Sequence, residues 1–91
     1  MNHREYSFER LMVWQNARRL SKDIYLLTRS FPSQEKFGLI SQMRRAAVSV
    51  ASNLAEGSAR ITKKDKAHFS TQSFSSLMEL LNQVILCFDL E

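Results

Sequence analysis

Two groups of cations are the side chains of this 91-residue chain whose type and spacing best fit a ligand: Arg44 with Arg45, and Arg60 with Lys63, Lys64 and Lys66 around the turn "ARITKKDK". Guanidinium and ammonium groups neutralise phosphates and release condensed counterions, a chemistry that needs charge density but no fixed geometry. The lysines open a predicted helix, where they oppose the positive end of its dipole, so helix stability is not the reason for their placement. Arg44 and Arg45 have a second reading, because either could pair with Glu56, Glu79 or an acid on a neighbouring subunit. Covalent chemistry has little to work with. Ser70, Thr71, Ser73, Ser75 and Ser76 of "FSTQSFSSL" have only His68 nearby and no elbow-like glycine pattern. His3, His68 and Cys87 lack ligand spacing, which argues against a metal. No glycine-rich phosphate loop or paired acids at metal spacing occur, so no cofactor is expected. The residues describe a non-enzyme that works through its surfaces.

Charge is unevenly spread. All 13 Lys and Arg fall in residues 1–66 beside six acids, a net +7, whereas residues 67–91 hold Glu79, Asp89 and Glu91 alone, a net −3. Such asymmetry suits a nucleic acid or an acidic partner at the basic end, although a solvated surface accounts for it as well. The lone Cys87 rules out an internal disulfide and fits a reducing compartment. "MNHREYSFER" lacks the apolar run of a signal peptide, and no stretch approaches the ~20 apolar residues of a membrane span. The expected location is the cytoplasm. A chain this short buries a small share of its surface, and with disulfide and metal set aside, oligomerisation is the remaining remedy.

The elements that must position these groups are helices, since the chain has one Pro, two Gly and no alternating strand pattern. After a tail at 1–7, the predicted helices cover about 8–30, 34–57 and 62–90 of a single bundle domain, antiparallel because the connections are short. Ser7 is the expected first N-cap and Pro32 ends the first helix. The first apolar stripe is Val13, Ala17, Leu20, Ile24, Leu27 and Phe31, widened by Trp14 and Tyr25. Gly57 is the expected residue just past the second helix, and Thr62 with Asp65 has capping-box spacing at the start of the third. The third stripe reads Phe74, Leu77, Leu81, Val84 and Phe88, and "VILCF" (84–88) is apolar all round. Two helices of the same chain can cover only part of it, so a fourth helix or another subunit is expected there. A helix-turn-helix over 42–75 fits less well, because the third helix is too long and apolar for a recognition helix.

The stretch "QMRRAAVSVASNLAEGSAR" (42–60), which carries most of the second helix, is built mostly from small residues. Leu39, Met43, Ala47, Val50 and Leu54 form its large apolar face, and Ala46, Ser49, Asn53 and Gly57 a line of small residues beside it. That design suits packing on two sides, one within the bundle and one against a close neighbour. Ala46, Ser49, Asn53 and Gly57, with Phe37 as an intersubunit plug, are the expected oligomer contacts.

"FERLMVWQNA" (8–17), "FPSQEKFGLISQMRRAAVSVASNLAEGSAR" (31–60) and "FSSLMELLNQ" (74–83) resemble the four-helix-bundle proteins encoded within intervening sequences of bacterial 23S ribosomal RNA genes. The resemblance runs in order from Phe8 to about Leu90. Two departures stand out: Ser75 occupies a position where the family pattern usually has Gly, and the family's fourth helix is absent or truncated here. The resemblance implies an all-α, antiparallel up-and-down bundle that assembles into a ring of identical subunits, typically five. The accessory variability proteins of diversity-generating retroelements are similar in fold and are linked to RNA binding. The expectation is therefore a homo-oligomeric, possible RNA adaptor. Its alternative is a ring that binds only protein partners, and neither reading involves a membrane.

Overall fold

The computed structural model describes residues 6–31 and 37–90, the side chain of Phe37 excepted. Every element among them is helical: a 3₁₀ turn at Ser7–Arg10, then α1 (Met12–Arg29), α2 (Phe37–Ser58) and α3 (Lys63–Asp89). The first α-helix thus begins four residues later than a cap at Ser7 would set it. Glu9 Oε2 accepts the Tyr6 backbone N–H at 2.6 Å, which closes "SFER" as a tight turn. Leu11 then turns extended (φ −73°, ψ 122°) before α1 starts. Phe8 in that turn stacks edge-on against Trp14, with ring centroids 5.0 Å apart, and so folds the turn back on the helix. α1 ends at Arg29 with Ser30 as its cap, short of Pro32, which lies outside the described residues.

α2 is the middle element, packed against both α1 and α3. Its contacts with α3 run in opposite senses along the two helices, Ser49 with Ser76 and Val50 with Ser73, so the pair is antiparallel. The core is small: Ile24 from α1, Met43, Ala46 and Ala47 from α2, Leu80 and Cys87 from α3, flanked by Leu20, Phe31, Leu39 and Val84. The Phe31 and Phe88 rings meet edge-on at 6.3 Å and close that end of the molecule.

The predicted large face of α2 points into this core, with Met43 and Ala47 fully buried. The α3 stripe is a correction. Ser73, Leu80, Gln83 and Cys87 are its buried residues, while Phe74, Leu81 and Phe88 are 62%, 48% and 51% exposed. The reason is the small face of α2, which draws α3 close and turns its short and polar residues inward. Ser73 Oγ donates to Val50 O at 2.9 Å, and Gln83 Nε2 to Glu79 Oε1 at 3.1 Å. α1 shows the same displacement: Thr28 is buried, and Val13 and Leu27 of the predicted stripe are exposed.

Candidate interaction surfaces

The basic corner is built by the turn between α2 and α3. Thr62 Oγ1 accepts the Asp65 N–H at 3.1 Å and starts α3 with the cap that its sequence predicts. This places Lys63, Lys64 and Lys66 on the exposed first turn of a 27-residue helix. Arg60 is fixed beside them. Its Nη2 donates to Glu56 Oε1 at 3.1 Å, and its guanidinium carbon lies 4.7 Å from the Phe69 ring centroid. Lys63, Lys64 and Lys66 form no ion pair among the described residues. All three cations sit in the first turn of α3, at the positive end of its dipole, where they gain nothing from the helix.

The two neighbouring arginines differ in their partners. Arg44 Nε donates to Thr28 Oγ1 at 2.8 Å, and its guanidinium carbon lies 4.7 Å from the Tyr25 ring centroid, so Arg44 holds α1 to α2. The Thr28 hydroxyl in turn donates to Ile24 O at 2.7 Å. Arg45 also lines an open polar groove between α2 and α3, with Gln42, Ser49, Ser76 and Glu79. Arg60 is thus tied to Glu56 and Phe69 at the turn that carries the lysines, and Arg44 and Arg45 share one shallow groove with Tyr25, Ile40 and Ser41.

The line of small residues on α2 meets α3 of the same chain. Ala46 is buried in the core, and Ser49 Oγ lies 2.9 Å from Ser76 Oγ. Asn53 Nδ2 donates back to Ser49 O at 2.9 Å and to Ser49 Oγ at 3.0 Å. Gly57 does not end α2, which continues to Ser58. It is a point of close approach to α3, where a Cβ would come within 2.7 Å of Phe69 Cβ. The close neighbour expected of these four residues is thus supplied within the chain. Phe37 opens α2, but its side chain lies outside the described residues.

A second surface was not legible as a surface. Phe74, Met78, Leu81, Ile85 and Phe88 recur in steps of four and three along α3, and each is between 42% and 62% exposed. Their periodicity reads as core, and only their exposure shows that no described residue covers them. On the flank of α1, Val13 and Leu27 are exposed as well. An open groove continues this uncovered side between Leu11 and Val13, Asn53 and Leu54 of α2, and Lys66 and Ser70 of α3. The chain exposes 6967 Å², whereas a compact monomer of its mass exposes roughly 5,500 Å².

Among the described residues, no three His, Cys, Asp or Glu side chains gather into a group that could hold a metal ion. No helix there is long and apolar enough to cross a membrane. No protein of curated function matches the chain. Residues 9–91, which span all three helices, the basic corner and the uncovered stripe, match the family described as 23S rRNA-intervening sequence protein, and the chain belongs to that family.

Proposed function

We propose that this protein is a non-enzymatic, self-associating helical adaptor of the cytoplasm that contacts RNA through the basic corner at the start of α3. One observation carries the reading: Lys63, Lys64 and Lys66 share an exposed helical turn and pair with no acid among the described residues. Like charges so placed repel one another and oppose the helix dipole, a cost that a polyanion removes. Self-association multiplies the corner, because several copies of a +4 chain present a stronger field than one. The ring of identical subunits implied by the family resemblance supports this arrangement.

The test is binding of single-stranded RNA across a salt series, for the natural chain and for Lys63→Glu/Lys64→Glu/Lys66→Glu. Affinity is expected to fall steeply with salt. The triple variant is expected to bind at least tenfold more weakly and to lose ~2 from the slope of log affinity against log salt. Binding that ignores both salt and charge reversal overturns the proposal. The uncovered stripe of α3 favours a second reading, an assembly that captures only proteins. Specific protein capture without any RNA affinity would establish that reading instead.

A further inference from the structure

We infer that the polar groove between α2 and α3 is a base-reading subsite that selects guanine in the RNA held by the basic corner. The inference rests on the RNA contact of the proposed function and adds which base that RNA carries and where it is read.

The groove is lined by Gln42, Arg45 and Ser49 of α2 and by Ser76 and Glu79 of α3, with a volume of about 450 Å³. That size falls in the range of sites that hold small organic groups. Arg45 and Glu79 carry opposite charges on its two walls, yet they form no ion pair with each other. Arg45 has no hydrogen bond or ring contact among the described residues. Glu79 is held in place: Gln83, only 4% exposed, donates Nε2 to Glu79 Oε1 at 3.1 Å. Glu79 Oε2 and the whole Arg45 guanidinium are left for a ligand. The half-buried Ser49 and Ser76 hydroxyls, 2.9 Å apart, bridge the walls between them.

Charge balance selects a base over a phosphate. One cation facing one anion leaves the groove neutral, so it offers a polyanion little field of its own. It offers instead a carboxylate on α3 and a donor fork on α2. Guanine alone among the four RNA bases suits both. Its N1–H and N2–H donate side by side to one carboxylate, and its O6 and N7 accept a bidentate guanidinium. Adenine and cytosine set a ring-nitrogen lone pair beside their amino group, which a carboxylate repels. Uracil flanks its single N3–H with two carbonyls. In a single strand these edges are free to be read.

α3 also connects the two places. Lys64, His68, Gln72 and Ser76 recur every four residues, a polar line on one side of the helix from the lysine turn to the groove. Glu79 lies about 20 Å beyond Lys66 along the helix axis, a distance that an extended strand of several nucleotides spans. Phosphates at the corner and a base in the groove are then contacts of one strand.

The probes are short oligouridylates with one central guanosine, inosine or adenosine, and affinity is read by fluorescence anisotropy. The natural chain is expected to bind the guanosine RNA about tenfold more tightly than the adenosine RNA. Inosine, which lacks the N2 amino group, is expected between them. Glu79→Gln and Arg45→Lys are expected to erase the preference, the second because it keeps the charge and loses the fork. Both positions are exposed, so both variants keep the fold. Removing an acid strengthens binding of any RNA, so the readout is the ratio between RNAs. Location is read from amide chemical shifts: guanosine monophosphate is expected to move Ser49, Ser76 and Glu79 in the natural chain. A natural chain that binds the three RNAs alike overturns the subsite and spares the RNA contact, as does a preference that survives both substitutions. Guanosine monophosphate shifts confined to other residues also overturn it. A chain that binds none of the RNAs overturns both readings.

Discussion

At the scale of single residues, two positions show how small groups set the geometry. Gly57 sits tight against α3, and an added Cβ would lie 2.7 Å from Phe69 Cβ, a backbone-anchored atom that cannot swing away. Gly57→Ala gains up to about 1 kcal/mol of helix propensity, but it forces the helices apart at about 1–3 kcal/mol. The clash wins, and thermal unfolding of Gly57→Ala is expected several degrees below that of the natural chain. Thr28, only 2% exposed, is the hinge between Arg44 and α1. Thr28→Val keeps the shape but removes the acceptor for Arg44 Nε, so a loss of about 1–2 kcal/mol in urea unfolding is expected. The chemistry of the basic corner is readable in "TKKDK" itself, because charge and cap lie within five residues. The role of Arg44 is not, because its partners Tyr25 and Thr28 lie on another helix and no local pattern announces them.

At the scale of elements, sequence reading succeeds where a boundary is local. The Thr62 cap forms as its spacing predicts, and Thr62→Ala is expected to weaken the start of α3 by about 1 kcal/mol. Faster amide exchange across residues 65–68, with the rest of α3 unchanged, is the measurement that checks it. Reading fails where the outcome depends on a neighbour. The stripe of Phe74, Leu81 and Phe88 has the right period for a core, yet Ser73, Leu80, Gln83 and Cys87 take that place. Hydrophobic periodicity ranks faces by the size of their side chains. Here the small face of α2 selects the shorter face of α3, because close helices bury backbone and hydroxyl contacts that large side chains would prevent. Gly57 misleads for a related reason: near a helix end it reads as a terminator, while the structure uses its lack of a side chain.

At the scale of the whole molecule, three helices make a slab of 44 × 35 × 18 Å with one apolar side open. The radius of gyration is 14.8 Å, against about 12 Å for a compact chain of this length. The helical class and exposed apolar surface near the end of α3 were both legible, because "VILCF" carries more apolar surface than two neighbours can cover. The contact expected along Ala46, Ser49, Asn53 and Gly57 lies within the chain, which leaves the α3 stripe as the surface that remains for another helix. Cationic corner and apolar stripe lie at different heights on one helix.

The central claim, a self-associating protein that carries RNA, is tested most directly by light scattering on a sizing column without nuclease treatment, with absorbance followed at protein and nucleic-acid wavelengths. The account predicts a monodisperse particle at a multiple of 10.6 kDa with excess nucleic-acid absorbance that high salt strips away. A folded 10.6 kDa species free of nucleic acid would contradict it.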